Sequence, residues 1–172
     1  MKNIIRMISL SLCALLLASP AMALAQEGEE ELSAVQVISQ ATALDLTPYE
    51  GKAIYLNFFT EWCHFCMQEM PDIKKVFETY DPEELQIVLI HVWDGEDASN
   101  TENIKATYGM EEMTFFEDED RFVSYALGLQ GYPLSVFIGK DGNVHMGQSG
   151  MMSYDQMAQA MEEMGVAKAG PV

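Results

Sequence analysis

Basic side chains are scarce in this 172-residue chain: nine Lys and Arg stand against 27 Asp and Glu, a formal net charge of −18. So acidic a surface repels phosphate backbones and anionic headgroups, which argues against nucleic-acid binding and peripheral membrane binding. Cysteine is also rare, with three in all. Three cysteines are too few for the disulfide framework of a small stapled domain. Long hydrophobic runs are missing too. The apolar stretch at 7–18 falls short of the roughly 20 residues that a membrane-spanning helix needs.

What that stretch does fit is a leader. Lys2 and Arg6 precede it, and Ser19-Pro20 and the small-residue patches Ala21-Met22-Ala23 and Ala23-Leu24-Ala25 follow it. Charged, apolar and small residues in that order have the layout of a secretory signal peptide, with cleavage expected after Ala25. An uncleaved anchor is the alternative. Cys13 follows Leu12 inside the run rather than ending it after a small residue, so it leaves with the leader and not as a lipid attachment point. Export places the mature chain in the periplasm or on the outer face of the cell membrane, with no stable membrane insertion once the leader is gone.

Removing residues 1–25 leaves about 147 residues, enough for one domain with a proper core. All 27 acids remain, against Lys52, Lys74, Lys75, Lys105, Arg121, Lys140 and Lys168. Residues 26–33 form a short acidic segment with little to bury, expected as a solvated tail. The domain proper is expected over 34–168.

Within it, 32–46 reads as a lead-in strand or turn of helix, and 48–52 has turn chemistry. The run at 53–60 (AIYLNFFT) has the continuous apolarity of a strand covered on both faces. Residues 63–80 place Met67, Met70, Ile73 and Phe77 at helical spacing, with a kink expected at Pro71. A second buried strand follows at 86–93, and strand–helix–strand over about 40 residues demands a parallel pair. A helix is expected at 99–108, capped by Ser99 or Asn100 and stopped by Gly109. The acidic run 117–120 leads into a short helix at 121–127. Then come a strand at 134–138, a turn at 140–143, a strand at 144–148 and a helix at 153–164 capped by Ser153. The sum is an α/β fold: a central mixed sheet, parallel early and antiparallel late, with helices on both faces. Met67, Met70, Met157, Met161 and Met164 fall on core faces, which makes gap-filling packing the expectation over a copper-binding patch.

The chemistry lies in Thr60-Glu61-Trp62-Cys63-His64-Phe65-Cys66. Two cysteines three positions apart close too small a loop to stabilise a chain much, so the pair is read as reactive. A strand-to-helix junction puts Cys63 at a helix N-terminus, where unsatisfied N–H groups and the helix dipole favour a thiolate. Cys66 follows one turn later, placed to resolve a mixed disulfide formed at Cys63. Cys63 is therefore expected as the exposed nucleophile and Cys66 as the buried thiol. His64, when protonated, would stabilise the thiolate further; an exposed histidine without a role is the alternative. Half a zinc site would need further ligands from His64, His91, His145 and carboxylates that are scattered along the chain. An inert disulfide is the other reading.

These residues resemble the thioredoxin superfamily, and within it the exported TlpA/ResA-like proteins, over about residues 44–165. Gly51-Lys52, Asn57-Phe58, Trp62-Cys63-His64-Phe65-Cys66 and Pro71 are similar to that group's signature, and Gly131-Tyr132-Pro133 to its later segment. The resemblance implies a thioredoxin-like fold and a thiol–disulfide oxidoreductase, with no cofactor beyond the Cys63–Cys66 disulfide. It implies a cis bond at Pro133, which packs against the cysteines, and oxidised client proteins as partners. It further implies a membrane thiol donor of the DsbD/CcdA kind, reduction rather than oxidation of clients, and an acid near the cysteines, with Asp94 or Glu96 as candidates. Asn57 stands where thioredoxin has a buried Asp and cannot titrate. Thr60-x-x-Cys63 is similar to the peroxiredoxin arrangement, but Leu56 stands where its proline would be. A thioredoxin-fold binding module for a metal or peptide, and a disulfide-introducing oxidase, are the rival readings.

Overall fold

The computed structural model describes residues 32–93 and 101–170. The leader, residues 26–31 of the acidic segment, the helix caps Ser99 and Asn100, and both candidate acids Asp94 and Glu96 lie outside the described residues.

Strand β1 (Ala53–Phe59) is the apolar run expected, and all seven of its residues are buried. It pairs in parallel with β2 (Leu85–Val92), from Ala53 opposite Leu85 to Phe59 opposite His91. On its other side it pairs antiparallel with β4 (Leu134–Ile138). Strand β3 (Thr114–Asp118) extends the parallel side and β5 (Val144–Ser149) the antiparallel side, giving the order β3-β2-β1-β4-β5. The sheet is mixed as the pattern predicts, but β3 is an addition. Its sequence, Thr-Phe-Phe-Glu-Asp, ends in the acidic run that reads as a loop, and at an edge it is only half-buried over four of five positions.

Successive side chains of a strand point to opposite faces, and β1 divides the core accordingly. Ala53, Tyr55 and Phe59 join one cluster with Ile73 and Val76 of α2 (His64–Thr79), Ile104 of α3 (Thr101–Tyr108) and Met157 and Met161 of α5 (Tyr154–Glu163). Ile54, Leu56 and Phe58 join the other with Val35 and Ile38 of α1 (Ala34–Ala41) and Val123 of α4 (Phe122–Ala126). Helices therefore cover both faces.

The lead-in segment resolves as helix α1 rather than a strand. Ser33 accepts from the Gln36 amide while the Gln36 side chain accepts from the Ser33 amide, a reciprocal capping box. Ser153 and Gln156 repeat the device at α5, the cap expected there. Helix α2 runs through Pro71 unbroken. Met70, Met157 and Met161 are fully buried, and Met67 and Met164 pack against the same cluster, the core role predicted for them. Among the described residues no helix is long and apolar enough to cross a membrane.

Ile90 is fully buried in β2 between β1 and β3. Ile90→Ala should lower unfolding free energy by about 2–5 kcal/mol, read as a lower urea midpoint at unchanged slope.

Candidate active site

The polypeptide leaves the C-terminal end of β1 at Phe59, turns through Thr60-Glu61-Trp62, and enters α2 with Cys63 as its N-cap. A cysteine here does what a serine or aspartate cap does: its sulfur accepts the Cys66 backbone N–H at 3.2 Å. Cys63 and Cys66 are joined in a disulfide, with Sγ–Sγ 2.12 Å and Cα–Cα 5.2 Å. Cys66 is fully buried, and Cys63 is only 5% exposed. Cys66 is buried as expected, but the exposure expected of Cys63 is not seen. In the disulfide the Cys63 sulfur is tucked under the rim of the site, because as the helix N-cap it points back at its own first turn.

That rim is aromatic. Trp62 and Phe65 are 64% and 59% exposed, and the Trp62 ring meets Tyr132 edge-on with centroids 6.4 Å apart. His64 is exposed, with its ring tilted against Phe65. The Tyr132–Pro133 bond is cis, as the resemblance implied, and Pro133 is buried at the start of β4. Its carbonyl accepts from the Gly150 amide at 2.9 Å. The stretch from Trp62 to Cys66 and the Tyr132-Pro133 segment thus meet at the site, Trp62 against Tyr132, from two separate parts of the chain.

Under the pair lies a polar network that sequence reading missed. Glu69 sits one turn beyond Cys66 on the buried face of α2 and is 1% exposed. Its Oε1 accepts the Met152 amide at 2.9 Å, and its Oε2 accepts from Asn57 Nδ2 at 3.3 Å. Asn57 Nδ2 also faces Ser135 Oγ and the Tyr55 hydroxyl, which lie 3.0 Å from each other. Burial pushes the Glu69 carboxyl up to about 7, against the two hydrogen bonds that favour its charge. Burial likewise raises the Tyr55 phenol, and the neighbouring Glu69 charge adds to it, so Tyr55 stays a neutral donor. Asp94 and Glu96, the acids expected near the cysteines, lie outside the described residues; among the described residues a buried carboxyl stands at Glu69, one turn from Cys66. The signal was available: an acid three residues after Cys66 falls on the same helical stripe as Ile73 and Val76.

Residues 31–146 match the AhpC/TSA family. The fold and the Cys-x-x-Cys junction define a thioredoxin-like protein with a cysteine pair able to carry two electrons. More particularly, the chain belongs to the AhpC/TSA family, and it resembles the ResA group in sequence. It is 29% identical over 117 residues to the thiol-disulfide oxidoreductase ResA of Geobacillus thermodenitrificans, covering 68% of this chain and 66% of that one. The ResA of Halalkalibacterium halodurans is 24% identical, covering 81% of this chain and 77% of its own. The structure of a secreted Mycobacterium tuberculosis disulfide oxidoreductase, homologous to the DsbE of E. coli, superposes with a TM-score of 0.60 at 23% identity. It covers 70% of this chain and 87% of that one.

The Glu69 carboxyl, raised from 4.5 to about 7, binds its proton more tightly in the folded state than in the unfolded one. The resulting stability is complete below the unfolded value and is lost as pH rises through about 7. Oxidised wild type should lose stability across that window relative to Glu69→Gln, by an amount on the order of a few kcal/mol, in urea titrations at stepped pH.

Proposed function

We propose that this protein is an exported thiol–disulfide oxidoreductase that reduces disulfides in extracytoplasmic client proteins. The observation that carries the reading is Cys63 as the N-cap of α2, its sulfur already receiving the Cys66 N–H and bonded to the Cys66 sulfur. A thiolate at Cys63 keeps that N–H and gains the positive end of the helix dipole.

In the reducing direction the Cys63 thiolate attacks one sulfur of a client disulfide. The client's other sulfur leaves as a thiolate and takes a proton, while a mixed disulfide holds Cys63 to the client. The Cys66 thiol then loses its proton, and its thiolate attacks the Cys63 sulfur. The second client thiolate leaves and is protonated, and the Cys63–Cys66 disulfide seen here is restored. Two electrons and two protons pass to the client. Glu69, buried one turn from Cys66 and near neutrality in its affinity, is the group of α2 suited to receive the Cys66 proton. Trp62, Tyr132 and Pro133 supply the surface on which client backbone rests, and His64 supplies positive charge beside Cys63 when protonated. A membrane thiol donor of the DsbD/CcdA kind would return the pair to the dithiol. The leader, cleaved near Ala25, would deliver the chain to that compartment.

Cys66→Ala should accumulate mixed disulfides with client proteins, visible as thiol-sensitive adducts on non-reducing gels. Partners recovered unchanged and non-covalently would point to a binding module. The equilibrium potential of the Cys63–Cys66 couple, titrated with thiol trapping, should lie near or below thioredoxin's value of about −270 mV. A value near the roughly −120 mV of a strong oxidant would reverse the proposed direction.

A further inference from the structure

The side-chain amide of Asn57 is crowded at one end and bare at the other. Its Nδ2 has two hydrogens and three oxygens around it: Glu69 Oε2 and Ser135 Oγ at 3.3 Å, and the Tyr55 hydroxyl at 3.4 Å. Its Oδ1 is buried and finds no hydrogen-bond partner among the described residues. The last torsion of an asparagine is broad and roughly two-fold, so the amide can exchange its ends while β1 stays where it is.

Glu69 decides which orientation fits. Ionised, its carboxylate only accepts: Oε1 takes the Met152 N–H at 2.9 Å, and Oε2 takes the Asn57 amide. A proton added to the carboxyl goes to one of these oxygens, where a hydrogen already points. Oε1 is the fixed side. The Met152 amide belongs to a main chain held before and after it, by the Gly150 N–H on the Pro133 carbonyl at 2.9 Å and the Tyr154 N–H on Asp72 Oδ2 at 3.0 Å. Oε2 is the side that can change, because its partner is a side chain. With the amide turned, Oδ1 stands beside Oε2 and accepts its O–H. A hydrogen that the Tyr55 and Ser135 hydroxyls do not use between themselves then also has an acceptor there. Each orientation leaves one end of the amide bare, so that penalty is common to both, and the proton on Glu69 selects between them. Among the described residues, the other titratable groups acting on this carboxyl are Tyr55 from β1, whose phenol stays neutral, and Asp72 on α2, whose charge opposes ionisation of Glu69. Ser135 of β4 and the Met152 amide are neutral, and Cys66 is held in the disulfide.

We propose that Asn57 is a positioning residue for the Cys66 proton: its amide turns with the protonation of Glu69, donating through Nδ2 to the carboxylate and accepting through Oδ1 from the acid. Asn57 acts through Glu69. Both states of the carboxyl thereby keep a partner on Oε2, and the proton that leaves the Cys66 sulfur is held there, on the strand side, while Oε1 keeps the Met152 amide. The Cys66 thiolate left behind attacks the Cys63 sulfur as before. The effect on turnover rests on the oxidoreductase reading, but the turn itself is tested on the oxidised protein alone.

In oxidised, isotopically labelled wild type, the Glu69 carboxyl carbon reports its titration, expected at about pH 7. The Asn57 side-chain amide signals should shift with the same midpoint. Above it, nuclear Overhauser contacts should join the amide hydrogens to the Ser135 side chain and the Tyr55 ring; below it those contacts should vanish. In Glu69→Gln the amide signals should be indifferent to pH across the same range. The histidines remain in that variant, so a shift they cause would survive there. Contacts that persist on both sides of the midpoint, or amide signals that still titrate in Glu69→Gln, overturn the proposal, and neither observation needs a change at Asn57. For the reaction, dithiobis(nitrobenzoic acid) added to the reduced protein caps Cys63 and releases one thionitrobenzoate; attack by Cys66 releases the second, and that phase reads resolution. It should be about tenfold slower in Asn57→Leu than in wild type, the scale of a modestly misplaced reacting group. In a Glu69→Gln background the same substitution should slow it no further. Loss of a mere donor to the carboxylate would strengthen Glu69 as a base and speed the second phase. A faster or unchanged variant, or a slowing that persists without Glu69, therefore overturns the link to proton transfer. A second phase absent from wild type would sink the oxidoreductase reading and leave the NMR result to judge the turn.

Discussion

Strand β1 is buried on both faces and hydrogen-bonded on both edges, to β2 in parallel and to β4 antiparallel. A strand in that position has no freedom to slip, because a one-residue shift would exchange Tyr55 and Phe59 for Ile54, Leu56 and Phe58 across the two cores. The functional features hang from this register. Its last residue sets where the turn 60–62 begins, and hence which residue caps α2. Its antiparallel partner β4 begins directly after Pro133, so one strand positions the cysteine pair and the cis-proline segment together. Asn57, at its middle, meets Glu69 from the helix and Ser135 from the neighbouring strand.

The polar network below the pair departs from ordinary core economy. Glu69, Asn57, Tyr55 and Ser135 are all buried, and Asn57 Oδ1 finds no hydrogen-bond partner among the described residues. Buried polar groups that are incompletely satisfied cost stability, so their presence marks a site where chemistry outweighs packing. The division of labour is physical. Asn57 cannot titrate, but its amide nitrogen can hold the carboxylate of Glu69 without changing charge itself. The group of this network that binds a proton near neutrality therefore lies on the helix, on the same buried stripe as Cys66. There it is desolvated enough to hold a proton near neutrality, yet it keeps the Met152 amide as a partner in its charged form.

Residue pattern carried much of this architecture and left out specific parts for specific reasons. β1 and β2 were legible because continuous apolar runs of strand length have few other meanings. The start of α5 was legible from its cap, Ser153. The junction was legible because Cys63 and Cys66 stand directly after a buried strand, and Pro133 because its flanking residues resemble a known segment. β3 was hidden because Glu117 and Asp118 are turned to uses a linear reading does not show. Glu117 bonds to His91 and Trp93, and Asp118 accepts the first amides of α4. Glu69 was hidden because a charge on a helix is read as solvated, and only the tertiary fold reveals the α2 face beneath it as core. His91 was visible only as one of three scattered histidines; strand register brings it opposite Glu117.

The net charge of the chain and the chemistry of its cysteines operate on different length scales. At physiological ionic strength charges are screened over about 8 Å, so most of the acidic surface does not reach the sulfur atoms. What reaches them is local: the Cys66 N–H at 3.2 Å, the first turn of α2, and Glu69 across one helical turn. These groups oppose one another. The helix terminus stabilises a thiolate at Cys63, whereas an ionised Glu69 disfavours a second negative charge at Cys66. A proton leaving Cys66 for Glu69 leaves the total charge of the buried pair unchanged, which makes transfer between them less costly than release of either group's proton to solvent across the core. The acidic exterior sets the long-range field around the molecule, which falls off before it reaches the sulfur atoms. The thiol chemistry is set by the few polar groups that β1 and α2 bring together.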